Sequence, residues 1–239
     1  MDYNPGMLFS ELAKYFEKLE ETSSRLALID ILADLFKQVK VTEVGHVSYL
    51  IQGRIAPFFE PLEIGMAEKN VAAAIAKAYG VERAEVLKEY GKVGDLGKVA
   101  EKLKAASKVL IKDNDSKLTV SEVFNTLRGI AQMSGEGTVE KKVNTLVELL
   151  ERVDGVGAKH LVRIPLGTSR LGIGDPTVLD AFALSKLGDR KQKSLLEATY
   201  NKTSDLGLIG ETLWRDGLAG IQKLDVTLGR PIRSQLAER

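Results

Sequence analysis

Two stretches of this chain are written twice. Leu62-Glu63-Ile64-Gly65-Met66-Ala67-Glu68-Lys69-Asn70-Val71, followed by Ala74-Ile75-Ala76, returns as Ser169-Arg170-Leu171-Gly172-Ile173-Gly174-Asp175-Pro176-Thr177-Val178, followed by Ala181-Phe182-Ala183. Asp95-Leu96-Gly97, with Val99, Glu101 and Leu103 behind it, returns as Asp205-Leu206-Gly207 with Ile209, Glu211 and Leu213. Both pairs keep their order and nearly their separation, the mark of an internal duplication. A duplicated unit presents two similar surfaces, which suits a ligand that is itself long and repetitive.

Apolar residues recur at helical spacing almost throughout, as in Leu8, Leu12, Phe16 and Leu19, in Leu26, Ile29, Leu32 and Leu35, and in Val143, Leu146, Val147 and Leu150. No two-residue alternation is sustained, so the expected fold is all-α, with about a dozen short helices in two pseudo-symmetric lobes. Thr22-Ser23-Ser24, Asp95, Asp205 and Asp189 read as caps, the last for a helix from Arg190 to about Tyr200, and Gly80 reads as a helix stop. The polar run Lys112-Asp113-Asn114-Asp115-Ser116 marks the break between a first lobe, about 22–108, and a second, about 118–217. One domain over 1–227 is expected, and 228–239, with Leu228-Gly229-Arg230-Pro231-Ile232-Arg233, reads as extended chain at a domain border.

With 44% hydrophobic residues the chain has enough apolar side chains for a proper core. It lacks an eighteen-residue apolar run and a basic-then-apolar leader, and it has no cysteine, so disulfides, thiolate metal sites and a cysteine nucleophile are excluded. These features are compatible with a cytoplasmic protein. A formal net charge of +1 means that any nucleic-acid surface must come from local clustering of Lys and Arg.

The glycine-rich stretches carry the chemistry. Gly172 and Gly174 allow close backbone approach, and the helix start at Pro176-Thr177-Val178 offers N–H groups to a phosphate; the same applies more weakly to Leu62 through Lys69. Taken alone, each is also a tight turn required by packing. Asp154-Gly155-Val156-Gly157-Ala158-Lys159-His160-Leu161 is either the hairpin of a helix-hairpin-helix or a glycine turn between helices, with Lys159, His160 and Arg163 on the helix that follows. Lys186, Arg190, Lys191 and Lys193 form a basic run, and without interleaved aromatics the better match is duplex backbone rather than single strand. Trp214 is isolated in sequence and reads as a core or lobe-junction residue. No catalytic residue and no metal site is read: neither histidine sits as a positioned base, no phosphate-binding Walker loop is present, and in Arg152-Val153-Asp154-Gly155 a permanently protonated arginine stands where a nucleophilic lysine would be needed.

The ordered set Val93-Gly94-Asp95-Leu96-Gly97-Lys98-Val99-Ala100-Glu101, Leu118-Thr119-Val120, Ala158 through Ile164, Arg170 through Asp175, Thr203 through Gly207 and Gly229 through Arg233 resembles the N-terminal DNA-binding domain of ATP-dependent DNA ligases of the archaeal and eukaryotic replicative type. The resemblance spans about residues 7–236. It implies an all-α domain of two pseudo-symmetric lobes lying along the minor groove of nicked duplex DNA, in a monomeric enzyme of replication, repair and recombination. The DNA-binding residues it implies are Arg54, Gly65 and Lys69 in the first lobe and Lys159, Arg163, Arg170, Gly172, Gly174 and Thr177 in the second. It also implies that 228–239 leads to an adenylation domain using ATP and magnesium, followed by an oligonucleotide-binding domain, so that this segment binds DNA without sealing it. Ser107 through Lys117 lacks the aromatics with which many archaeal relatives hold the sliding clamp, and clamp binding there is not expected. Two other classes remain open: a helical-repeat adaptor binding protein through a concave face, and a stand-alone DNA-binding protein.

Overall fold

A computed structural model describes residues 6–107 and 117–232. The described residues fold as an all-α protein of twelve α-helices: α1 Phe9–Glu20, α2 Arg25–Gln38, α3 Val44–Ile51, α4 Glu68–Tyr79, α5 Arg83–Val93, α6 Leu96–Ala106, α7 Val120–Gln132, α8 Thr138–Glu151, α9 Gly155–Arg163, α10 Asp175–Phe182, α11 Lys193–Thr203 and α12 Leu206–Ile221. Among the described residues there is no strand beyond a single antiparallel bridge, Leu8 with Thr119, and no helix long and apolar enough to cross a membrane. The break expected at 112–116, the clamp reading, which rests mainly on that same loop, and the tail from Arg233 lie outside the described residues.

Most of the expected caps form. Ser24 accepts from the Ala27 N–H, Asp95 from Gly97 and Lys98, and Asp205 from Leu208, each satisfying donors that a helix start leaves open. Gly80 ends α4 in the left-handed region, at φ 67°. Asp189 caps a short 3-10 turn, Arg190–Gln192, that precedes α11 instead of capping that helix directly. Gly217, the expected end of the second lobe, is a kink, at φ 63° and ψ −157°, within α12, which runs on to Ile221. Gly155 and Gly157 follow the short connection from α8 and open α9 directly behind its cap Asp154, whose carboxylate takes the Gly157 N–H at 2.7 Å.

The chain divides into two compact units, each discontinuous. The first combines the N-terminal stretch up to Glu17 with Leu62–Arg170; the second combines Lys18–Pro61 with the stretch from Leu171 onward. This differs from lobes of 22–108 and 118–217, and the reason is what each helix is buried against. In the first unit α6 packs on α9 and α4 on α8; in the second α12 packs on α3 and α10 on α2. Each repeated stretch is therefore closed by helices from the opposite half of the chain.

Along the chain, α3–α6 and α9–α12 carry local structures in the same order. α3 and α9 end alike, in the left-handed glycines Gly53 and Gly167, with Arg54 N–H bonded to Tyr49 O and Thr168 N–H to Arg163 O, each at 3.0 Å. α5 and α11 end in left-handed Gly94 and Ser204, whose N–H groups bond Tyr90 O and Tyr200 O at 2.7 Å. Next come the caps Asp95 and Asp205, then Gly97 and Gly207 at the helix contacts. A Cβ on Gly97 would lie 2.5 Å from Lys159 O, and one on Gly207 would strike the Tyr49 ring. In the second unit Phe36, Phe182 and Trp214, from α2, α10 and α12, meet at ring separations of 4.8–5.9 Å, so the half-buried Trp214 packs its ring on that unit's core.

Because backbone cannot yield to the added methyl, Gly97→Ala should lower stability by about 1–3 kcal/mol. Gly129, inside α7 with open space where its Cβ would sit, is the control. Gly129→Ala should raise stability by about 0.5–1 kcal/mol by restricting the unfolded chain. Urea unfolding midpoints of the two variants check both signs.

Candidate nucleic-acid interface

In the first unit the loop 62–67 turns at Gly65, where φ is 63°, and enters α4 at Ala67, which supplies no side-chain cap. Lys142 of α8 donates to Ile64 O at 2.8 Å and so holds the turn while placing its ammonium beside Gly65. Lys69 is exposed on the first turn of α4. Arg170 is one of two described non-glycine residues with positive φ, at 56°. Its side chain, half exposed, donates to Gly94 O at 2.9 Å and lies 3.7 Å from Asp95. A left-handed arginine is costly enough to call for a reason, and the conformation aims this guanidinium at the α5–α6 junction.

In the second unit Gly172, at φ 65°, and Gly174 are exposed, and Gly174 opens α10 with Pro176 behind it and no side-chain cap. Arg54 is exposed at the rim of a polar pocket of about 150 Å³ lined also by Tyr49, Gln52, Phe58, Tyr200 and Ser204. The two helix starts are not empty anion seats. Each carries an acid at its first position, held by a tyrosine: Tyr90 OH donates to Glu68 at 2.6 Å, and Tyr200 OH to Asp175 at 2.5 Å, with Gln52 Nε2 on the other Asp175 oxygen at 2.6 Å. The acids already use the positive end of the helix, so an incoming anion depends on exposed loop N–H groups and on cations.

Three of the expected contact residues are placed elsewhere. Arg163 is 1% exposed and its Nη2 meets Asp95 Oδ2 at 2.6 Å. Lys159 is 6% exposed and meets Glu17 Oε1 at 2.6 Å, the same oxygen that His160 Nε2 approaches at 2.5 Å. Thr177 is buried, with its N–H on Gly174 O. The Arg163 and Lys159 side chains are spent inside the first unit and cannot reach a phosphate without breaking these pairs. Burial would push the Asp95 carboxyl up, but the Arg163 bond and charge, with Arg170, hold it below its ordinary value. Glu17 is likewise held low by Lys159 and His160 against the opposing effect of burial. Burial pushes His160 down to about 4, only partly opposed by its bond to Glu17.

The arrangement therefore leaves Gly65, Lys69 and Arg170 accessible in the first unit, and Arg54, Gly172 and Gly174 in the second. Sequence reasoning missed Lys142, Gln52 and the two tyrosines. The tyrosines did leave a signal, since each stands the same distance ahead of its capping aspartate, Tyr90 before Asp95 and Tyr200 before Asp205.

What fold and site define is an all-α domain with two like loop-to-helix junctions flanked by exposed cations. Comparison with known proteins places it: the family described as DNA ligase N terminus matches residues 8–183, and the chain belongs to that family. It is 46% identical over 234 residues to a probable DNA ligase of Dictyoglomus turgidum, covering 98% of this chain and 39% of that protein. It is 42% identical to DNA ligase 2 of Thermofilum pendens, covering 97% and 39%, and 39% identical to a DNA ligase of Nitrosopumilus maritimus, covering 98% and 40%. The chain thus spans about two fifths of the length of these curated relatives.

Two measurements test the internal roles. Arg163→Ala, which strands a buried carboxylate, should cost about 3–5 kcal/mol of stability. Arg170→Ala, at a half-exposed site, should cost at most about 1 kcal/mol. His160 should titrate in an NMR pH series with a midpoint near 4. Its contribution to stability should be complete above pH 6.5 and decline as pH falls from there through about 4, because the unfolded chain takes up the proton first. A midpoint near 6.5 would show that the ring is not held neutral.

Proposed function

We propose that this chain is the part of a DNA ligase that grips duplex DNA by its sugar–phosphate backbone and minor groove, without reading sequence, on both sides of a nick. The observation that carries this reading is the pair of loop-to-helix junctions, each with an exposed left-handed glycine and accessible cations. Glycine loops let a phosphate come within hydrogen-bond distance of backbone N–H groups, and Arg or Lys beside them release counterions on binding. Arg54, Gly65, Lys69, Arg170, Gly172 and Gly174 are the contact residues of this reading, while Lys159, Arg163 and Thr177 act by holding the helices that present them. The relatives' greater length supports further domains in the parent protein. These are an adenylation domain using ATP and magnesium and an oligonucleotide-binding domain, which seal the nick in replication, repair and recombination. The parent acts as a monomer in the cytoplasm.

The test is a fluorescence-anisotropy titration of nicked duplex, intact duplex and single strand across a range of salt. Duplex binding should weaken steeply with salt and be tightest for the nicked form. Arg54→Gln, Lys69→Gln and Arg170→Gln should each weaken binding on every sequence alike and lower the slope of log K against log salt by about 1. Absence of duplex binding at low salt sinks the proposal, and salt-insensitive binding to a protein partner would replace it with the adaptor reading.

A further inference from the structure

The basic run that follows α10 has a use of its own. The helix continues into a π-helical turn, Ala183–Leu187, and ends at left-handed Gly188; the Arg190–Gln192 turn then doubles back. This path returns Arg190 and Lys193 to Asp180, on α10 itself. The Asp180 side chain is 4% exposed, and its oxygens collect three cations from three elements. Arg25 Nη2, at the start of α2, lies at 3.0 Å, Lys193 Nζ at 3.5 Å and Arg190 Nε at 3.8 Å. The cations themselves stay open to solvent, Arg25 at 59%, Arg190 at 40% and Lys193 at 28%. One further acid, Glu197, shares Lys193 at 3.0 Å, so positive charge remains in excess.

An independent sign that the cluster can take an acceptor is Arg190 Nε. It is buried and has no hydrogen-bond partner, since 3.8 Å to Asp180 is too long for one. A guanidinium donor left buried and unsatisfied is expensive, and a native structure that keeps one has a water or an ion to put there. Asp180 meanwhile holds three long side chains at one point, which removes much of the ordering cost that an anion would otherwise meet on binding.

We propose that Arg25, Arg190 and Lys193, gathered by Asp180, form a seat for a phosphate-type oxyanion on the second unit, separate from the Gly172–Gly174 loop. An oxyanion offers the acceptor that Arg190 Nε lacks, and the forked guanidinium groups suit tetrahedral oxygens. Its intended occupant is a phosphodiester of duplex DNA. That identification rests on the duplex-binding reading, whereas the seat itself does not.

Two experiments separate these. In the first, the Arg190 Nε–H resonance of the unaltered protein is followed by NMR during titration with inorganic phosphate and, separately, with a short intact duplex. A saturable shift with both ligands supports an oxyanion seat that DNA uses, and a shift with phosphate alone supports the seat and reassigns its occupant to a free phosphate compound. No shift with either overturns the proposal. In the second, Arg190→Gln combined with Lys193→Gln should weaken duplex binding and lower the log–log salt slope by about 2. An unchanged slope, while Arg54→Gln and Arg170→Gln still lower theirs, overturns the DNA seat and leaves the loop-based reading standing. If no form of the protein binds duplex, the duplex reading fails and the phosphate titration alone decides the seat.

Discussion

A carboxylate that caps a helix usually faces water, but Asp95 and Asp205 do their capping while turned inward, and both units are assembled around them. Asp95 bonds the first turn of α6 and at once receives Arg163 from α9. Asp205 bonds the first turn of α12 and receives the Tyr49 hydroxyl from α3 at 2.6 Å. Each carboxylate joins helix start to packing partner, and the neighbouring glycine, Gly97 or Gly207, lets the partner come close enough for the bond to form. The loop-to-helix junctions follow from this. Tyr90 and Tyr200 precede the capping residues by less than two turns and reach back to the acids that open α4 and α10.

The same role is filled by different chemistry. Arg163 gives Asp95 a charged partner, and the pair needs Arg170 and backbone N–H groups to make its burial tolerable. Tyr49 gives Asp205 a neutral donor, and burial together with the nearby Asp205 charge pushes the phenol up, so it remains a donor at any ordinary pH. A near-neutral chain can still present basic surfaces, because much of its acid is turned inward or locally paired: Asp95 and Asp180 each hold more than one cation, and Glu17 holds Lys159.

The helical fold, the caps Ser24, Asp95 and Asp205 and the Gly80 stop were legible in the sequence because they depend on neighbours within one turn. The burial of Lys159 and Arg163 was not. On α9 they lie four residues apart, one above the other, a spacing that fits a solvent-facing basic stripe as well as it fits a buried face. What decides between these is the position of Glu17 and Asp95, which lie far off in sequence. The lobe borders failed for the same reason: periodicity shows that a helix has an apolar face, but not which helix covers it. Nor does the sequence say why Gly157 must be small: Val153 and Asp154 occupy the space where its Cβ would go.

The interleaving of the units has a consequence for how the protein comes into being. The partner of Asp95 arrives 68 residues later in the chain, and the partner of Tyr49 waits 156 residues for Asp205. As the chain leaves the ribosome, α2 and α3 therefore emerge with apolar faces that nothing made so far can cover, and they stay uncovered until α10 to α12 appear. Apart from the N-terminal arm, which belongs to the first unit, the unit begun first along the chain is thus completed last. Its early helices are the ones a nascent chain must keep from finding other partners.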